Sequence, residues 1–166
     1  MGRRLTEGEA RLARRVFGAA IADGRIRISG GGFGPFAVTI GSRLLLPRHL
    51  RADDFSRAEA MLQGLFVHEL THVWQFQTRP LWTLLSWARA VVTGGYGPGL
   101  PAYRYALPLG AFARLNLEQQ ASVVEHAFLL RMGRRSPSMP AGARLVDYEA
   151  VPFPVPGPAD AGPWNQ

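Results

Sequence analysis

The pattern His68-Glu69-Leu70-Thr71-His72 constrains this chain more than any other feature of its sequence. Histidines four residues apart on an α-helix lie one turn apart on the same face, so both imidazoles can bind one metal ion. Glu69 lies about 100° around the helix from His68, which places its carboxylate beside a metal-bound water rather than on the metal. Because zinc lowers the pKa of such a water towards about 7, the pattern predicts a zinc centre with Glu69 as general base.

The surrounding sequence predicts the helix that this pattern requires. Residues 65–78 contain neither glycine nor proline, and apolar residues recur there with helical spacing. Ser56 and Glu59 have the spacing of a capping box, which would open the helix. An ordinary buried helix is the alternative interpretation. It is disfavoured because burying two histidines and a glutamate without a metal or polar partners is costly.

A carboxylate is the expected third ligand of this centre. A catalytic zinc site normally has three protein ligands and one open position, but the chain has no cysteine and only two further histidines, His49 and His126. Glu118 and Glu125 lie seven residues apart, and hence on one face, in a second helical pattern over residues 115–130. Glu118 is favoured because the Ala and Ser three and four residues after it allow close helix packing. A solvated glutamate at a helix N-terminus is the alternative for Glu118.

Two segments of the chain resemble those of the gluzincin group of zinc metallopeptidases. They are Leu65-Phe-Val-His-Glu-Leu-Thr-His-Val-Trp-Gln75 and the later Asn116-Leu-Glu-Gln-Gln-Ala121. More closely, they resemble the vgr-related bacterial proteins and the metallopeptidase domain of contractile-injection-system gene clusters. Residues 5–9, 16–18 and 53–56 also fit this group, so the resemblance covers roughly residues 5–132.

The resemblance implies a zinc metalloendopeptidase, in which His68, His72 and Glu118 hold Zn²⁺ and Glu69 is the general base for peptide-bond hydrolysis. The chain departs from the group at Ser122, where many gluzincins carry an aspartate that orients the first histidine. A histidine without such a carboxylate binds metal less tightly, so this departure predicts metal binding with less efficient hydrolysis. The alternative function is a non-catalytic zinc-binding accessory module of a secretion, injection or phage-derived apparatus.

The remaining patterns predict an α+β, zincin-like domain over residues 1–132. A capping box at Thr6 and Glu9 opens an N-terminal helix that runs to about residue 22. Strands are expected at residues 25–28, 36–40 and 43–46. The predicted order is therefore N-terminal helix, small antiparallel sheet, HExxH helix and later ligand-bearing helix. An edge strand beside the metal would pair with an extended peptide substrate. Residues 133–166, rich in proline and glycine, are expected to form a C-terminal tail that is ordered in part around residues 145–153.

Two tyrosines are candidates for stabilising the oxyanion of the reaction. The segment Tyr103-Arg104-Tyr105 is expected to be extended, so that both phenols point the same way. In zinc peptidases a phenol or an imidazole often stabilises the tetrahedral oxyanion. Tyr103 or Tyr105 is the first candidate and His126 the second. Simple packing of the tyrosines between helices is the alternative.

Residues 81–92 form an apolar segment that contains Trp82 and Trp87 and is interrupted by Arg89. The segment is too short to span a bilayer. A core helix beneath the site is the favoured interpretation, and an exposed lid or interfacial helix is the other. Membrane contact through this segment is not favoured. The glycine- and proline-rich loop at residues 94–101 would let the helix move.

The net charge and the N-terminal sequence limit the partners and the cellular location that can be expected. The net charge is +7, and all 19 basic residues are arginine. They occur in scattered pairs rather than clustered with aromatic residues, so no specific nucleic-acid partner is expected. The N-terminus is charged and has no apolar signal core, which predicts a cytoplasmic location or export by a non-Sec route. The expected partners are a protein or peptide substrate and a secretion or injection apparatus.

Overall fold

A computed structural model of the chain describes residues 2–31, 34–93 and 100–154. Within these residues, four helices and a four-stranded sheet form the framework. The helices are α1 (Glu7–Phe17), α2 (Ala60–Thr78), α3 (Pro80–Val92) and α4 (Leu117–Arg131). The strands are β1 (Arg3–Arg4), β2 (Arg27–Gly30), β3 (Val38–Ile40) and β4 (Arg43–Leu46). The predicted α+β class is confirmed, whereas most of the predicted loop at residues 94–101 lies outside the described residues.

The sheet is mixed, which corrects the expected antiparallel arrangement. Its strand order is β1-β2-β4-β3, with two antiparallel outer pairs and a parallel central pair of β2 and β4. The chain passes from β2 to the far edge of the sheet, and β3 then turns back into β4 at Gly41. The φ angle of Gly41 is +61°, a conformation that favours glycine in such a tight turn. As a result, β4 is central and β3 is an edge strand.

A buried carboxylate at the start of α1 organises the N-terminal region. The predicted capping box is confirmed, since Glu9 Oε2 accepts from the Thr6 N–H at 2.8 Å and Thr6 Oγ1 accepts from the Glu9 N–H at 3.1 Å. The same carboxylate binds Arg3 at 2.7 Å and accepts from the Phe55 N–H at 3.0 Å. Glu9 therefore joins β1, α1 and the turn that precedes α2. Helix α1 ends before the predicted residue 22, because Gly18 leaves the helical conformation with a φ of +59°.

The predicted capping box at Ser56 and Glu59 is wrong. Ser56 lies in a separate 3₁₀ turn (Phe55–Arg57), and α2 begins only at Ala60. The hydroxyl and the N–H of Ser56 both donate to Asp54 Oδ1, at 2.6 and 2.9 Å. Because Asp54 caps the 3₁₀ turn and the backbone becomes extended at Ala58, Ser56 lies within the turn and not at the start of the helix, and α2 has no side-chain N-cap.

Helices α2 and α4 lie close together, and this packing positions the candidate site. Gly64 on α2 faces Leu129 on α4, where a Cβ atom would lie 3.1 Å from the leucine side chain. Ala121 and Ser122, the small residues expected to permit the close approach, are both buried. The faces of α2 and α4 that carry the predicted ligands therefore meet in the interior.

The segment after α4 returns to the core. The Phe153 ring packs against Phe17, Trp74 and Phe112, with centroids 4.8, 5.0 and 6.0 Å apart. Tyr148 is buried as well, so the region around residues 145–153 is ordered, as expected. The division of the chain at residue 132 stays a prediction, and residues 155–166 of the predicted tail lie outside the described part.

Helix α3 is exposed, so the favoured prediction of a core helix is wrong. Thr83 is the one residue of α3 that is buried, and Leu81, Leu84, Leu85, Val91 and Val92 are between 46% and 86% exposed. No helix among the described residues is long and apolar enough to span a membrane. The other interpretation of this segment, an exposed helix, is the one observed.

Candidate metal centre

Three buried side chains from two helices converge at one point. His68 and His72 lie on consecutive turns of α2, and Glu118 lies in the first turn of α4. One ligand atom from each lies within 4.8 Å of the others. Each imidazole Nε2 is 3.3 Å from Glu118 Oε2. The structure thus brings together the three residues that the sequence proposed as ligands, and this cluster could hold a metal ion.

The start of α4 is fixed by a reciprocal cap. Asn116 Oδ1 accepts from the Gln119 N–H at 2.9 Å, and Gln119 Oε1 accepts from the Asn116 N–H at 3.1 Å. This capping box holds the first helical turn, which carries Glu118. The position of the carboxylate is therefore set by local hydrogen bonds as well as by packing against α2.

Both histidines are oriented by acceptors on the side away from Glu118. His68 Nδ1 donates to Glu125 Oε2 at 3.0 Å, and His72 Nδ1 donates to Gln75 Oε1 at 2.8 Å. Gln75 Nε2 in turn donates, at 3.0 Å each, to the Leu117 carbonyl and the Gln120 side chain. When the imidazoles are neutral, protons on both Nδ1 atoms leave the Nε2 lone pairs directed at the centre, which is the tautomer that a metal ligand needs.

Glu125 supplies the orienting carboxylate that the sequence lacks at Ser122. It lies two turns after Glu118 on the same face of α4, and its carboxylate binds the first histidine of the HExxH pattern. Glu125 was the less favoured candidate for the third ligand, and its carboxylate lies outside the cluster of ligand atoms. His68 is therefore oriented by a carboxylate after all, from a residue one helical turn beyond Ser122.

The electrostatics of the cluster couple metal binding to protons. Burial alone lowers the pKa of His68, but hydrogen bonds with Glu118 and Glu125 raise it well above its usual value. Burial also lowers the pKa of His72, but the charge of Glu118 outweighs this effect, so the pKa of His72 lies above its usual value. For Glu118 burial raises the pKa, yet the two histidines hold it well below its usual value. Protons therefore compete with a metal for these atoms, and metal binding releases protons.

The donor set fits a divalent transition metal. Two imidazole nitrogens and one carboxylate oxygen are the ligands of one class of catalytic zinc site. Glu118 Oε1 is buried and has no hydrogen-bond partner within the described part of the chain. A buried acceptor without a partner is costly. Coordination of a metal ion by the Glu118 carboxylate would remove that cost. Among the described residues, no hydrogen bond to Oε1 does so.

Glu69 is held by a residue that sequence reasoning missed. Thr39 Oγ1 donates to Glu69 Oε2 at 2.6 Å, and both side chains are buried. Thr39 lies on the edge strand β3, far from Glu69 in sequence. No local pattern links the two residues, because their contact depends on how the sheet packs against α2.

The two candidate tyrosines have different surroundings. Tyr103 ends a 3₁₀ turn (Pro101–Tyr103), and its ring lies parallel to that of His68, with centroids 6.1 Å apart. The Tyr105 hydroxyl instead contacts the Tyr148 hydroxyl at 2.7 Å and His126 Nδ1. Burial lowers the pKa of His126 to about 4, so this imidazole is neutral at pH 7. The expectation of one extended segment with both phenols alike is not met, and the oxyanion role of each residue stays a prediction.

Fold and site together define an α+β domain with a buried cluster of two histidines and one carboxylate on two packed helices. No protein-family model matches the chain. The chain is 33% identical over 140 residues to the type VI secretion system spike protein VgrG2b of Pseudomonas aeruginosa. That match covers 77% of this chain and 13% of the spike protein, so the chain spans a small part of the length of this relative.

A solved structure, the effector domain of Pseudomonas aeruginosa VgrG2b, has the same fold. It superposes with a TM-score of 0.64 at 32% sequence identity, covering 80% of this chain and 76% of that domain. The chain therefore belongs to the family of the VgrG2b effector domain. The vgr-related resemblance of the sequence is thereby confirmed.

Replacing Glu125 with Ala is expected to weaken zinc affinity by about 10- to 100-fold, because His68 loses the acceptor that fixes its ring and tautomer. Competition against a chromogenic chelator measures the affinity. Glu149→Ala makes the same change at an exposed glutamate and should retain the wild-type value. Equal zinc affinities for Glu125→Ala and the wild type would show that the hydrogen bond to Glu125 does not orient His68.

Proposed function

We propose that this chain is a zinc-dependent metallopeptidase of the gluzincin type that hydrolyses peptide bonds. The observation that carries the proposal is the convergence of His68 and His72 on one oxygen of Glu118, 3.3 Å from each Nε2. Three protein ligands of this kind leave one position of a tetrahedral zinc ion open, as in catalytic rather than structural sites.

The residues of the chain divide the chemistry among them. When bound, zinc supplies a Lewis acid that makes water more acidic and polarises a carbonyl oxygen. Glu69 accepts a proton from the attacking water and returns it to the leaving amine, as a general acid–base residue does. Thr39 donates a 2.6 Å hydrogen bond to Glu69 Oε2, which favours Oε1 for the proton transfer.

Substrate binding is assigned to the edge strand and to Tyr103. One side of β3 has no partner within the described sheet, and an extended peptide can add to such an edge through main-chain hydrogen bonds. Thr39 connects this strand directly to Glu69. Of the two tyrosines, Tyr103 is the better candidate for stabilising the oxyanion, because its ring stacks on His68, a member of the proposed centre.

The family supports a route of delivery. VgrG2b is a spike protein of a type VI secretion system, and its matching portion is an effector domain. We propose that this chain is likewise an effector domain that leaves the cell through such an apparatus, and hence by a non-Sec route. The alternative is a non-catalytic zinc-binding accessory module of a secretion, injection or phage-derived apparatus, in which the metal would organise a docking surface.

Removal and return of the metal test the proposed function. The zinc-loaded protein should cleave members of a library of unstructured peptides, because the ion supplies the open position and the Lewis acid. A strong chelator should abolish cleavage, and zinc near one equivalent should restore it; peptide products are measured by mass spectrometry. A zinc-replete protein that cleaves no peptide in the library would exclude the peptidase and leave the accessory module.

A further inference from the structure

Helix α3 carries its leucines and valines on the outside and two small polar residues, Thr83 and Ser86, on the inside. Thr83 is buried and Ser86 is half-buried. The exposed face consists of Leu81, Leu84, Leu85, Ala88, Val91 and Val92. The exposed fraction of the five larger residues ranges from 46% for Val91 to 86% for Val92. This distribution of apolar and polar residues is the reverse of that in a helix that packs on a core through its apolar side.

These exposed residues form one continuous surface, which we call the α3 stripe. They follow Leu81 at intervals of three, four, seven, ten and eleven residues, the spacing of a single helical face. Trp82 and Trp87, both half-buried, lie at the two borders of the stripe. Tryptophan at such a border suits a boundary between water and apolar medium, because its ring is apolar and its N–H is polar.

The charged residues in the segment that contains α3, residues 70–117, are all arginine. No aspartate or glutamate occurs in the sequence between Glu69 and Glu118, whereas arginine occupies positions 79, 89, 104 and 114. The Arg79 guanidinium lies 4.8 Å from the centre of the Trp82 ring. Arg89 and Arg114 line one groove beside α3, of about 660 Å³. An apolar stripe flanked by arginine matches a surface that combines anionic headgroups with acyl chains.

We propose that α3 docks on the surface of an anionic lipid bilayer. The α3 stripe lies in the interface among the upper acyl chains, and Arg79, Arg89 and Arg114 contact the headgroup phosphates. At 13 residues α3 is too short to cross the bilayer, so it lies in the plane of the interface. A second copy of the chain fits this surface less well, because pairing two stripes would bring like-charged arginines together.

Docking through α3 would place the candidate metal centre near the lipid. Helix α3 follows α2, which carries His68 and His72, after a single intervening residue, Arg79. Substrates at a membrane surface would then be within reach of the site. The docking surface does not depend on the proposed peptidase, since none of the α3 residues belongs to the metal cluster, and its test needs no catalysis.

Sedimentation of the full chain with lipid vesicles tests the proposal. The wild type should bind vesicles that contain phosphatidylglycerol, bind pure phosphatidylcholine vesicles much less, and lose affinity as salt rises. Leu84→Gln with Leu85→Gln should weaken binding at least 10-fold, because it puts two amides into the apolar stripe. Glutamine suits an exposed helix position, and thermal unfolding checks that the variant is folded.

Two further variants separate the contributions. Leu145→Gln with Val146→Gln replaces another exposed apolar pair, 40% and 53% exposed, and should leave vesicle binding unchanged. Arg89→Gln with Arg114→Gln should reduce binding to phosphatidylglycerol vesicles by about fivefold per arginine, while the weak binding to phosphatidylcholine persists.

Three results would overturn the proposal. If the wild type stays in solution with phosphatidylglycerol vesicles at low salt, α3 does not dock on an anionic bilayer. Unchanged binding by the Leu84→Gln and Leu85→Gln variant would show that the α3 stripe is not the contact. A wild-type dimer in sedimentation equilibrium that this variant abolishes, without vesicle binding, would assign the surface to a second copy of the chain.

Discussion

Replacing Glu69 with Gln is expected to leave metal binding intact and to reduce peptide hydrolysis by about 10²–10⁴-fold, the usual contribution of a general base. Glutamine has nearly the same shape as glutamate, and its amide oxygen can still accept the hydrogen bond of Thr39. The three ligand atoms belong to other residues. What the substitution removes is the ability to take a proton from water at that position.

Zinc content by elemental analysis and kcat/KM on a fluorogenic peptide should be measured on the same preparations. Glu59→Gln makes the identical chemical change at an exposed glutamate whose side chain caps nothing, and it should keep full activity. If Glu69→Gln cleaves the peptide as fast as the wild type, the activity belongs to a contaminant or to another base, and the role assigned to Glu69 fails.

The ligand helices could be predicted because their signals are local. The spacing of His68 and His72 defines a face of α2 from the sequence alone, and the apolar period around Glu118 does the same for α4. The small residues after Glu118 correctly indicated close packing, since Ala121 and Ser122 are buried. Helix geometry placed His68 and His72 on one face and left Glu118 and Glu125 as alternatives on another, and the small residues after Glu118 favoured it as the third member of the cluster.

The orienting contacts could be predicted only in part. The spacing of seven residues between Glu118 and Glu125 showed that they share a face, but not that His68 lies opposite Glu125. Expecting the orienting group four residues after the ligand was too narrow, because seven residues along the helix serve the same face. Thr39 could not be predicted, since its contact with Glu69 joins a strand to a helix across the fold.

Some predictions failed because the sequence allowed two structures of similar energy and did not specify which one forms. Ser56 had two possible roles, and the nearby Asp54 decided for the turn. The order of the strands depends on which edge the chain reaches after β2, which strand periodicity does not specify. Helix α3 is apolar enough for a core, but composition does not determine which surface covers a helix.

Replacing both His68 and His72 with Ala is expected to abolish zinc binding, because a lone carboxylate, Glu118, remains. Zinc at about 100 times its Kd should stabilise the wild type by about 2.7 kcal/mol. For a domain of this size that is a rise of roughly 5–10 °C in the unfolding midpoint. The double variant should show no zinc-dependent shift, measured by scanning calorimetry with and without the metal.

The double variant needs a control, because it leaves the Glu118 charge buried without its two histidine partners. Breaking a buried pair in this way destabilises a fold by about 3–5 kcal/mol, so lost zinc binding could simply reflect unfolding. Adding Glu118→Gln removes the uncompensated charge at nearly constant shape, and the triple variant should fold while binding no zinc. Undiminished zinc in that folded variant would place the ion elsewhere in the chain, and both the centre and the peptidase proposed for it would then have to be abandoned.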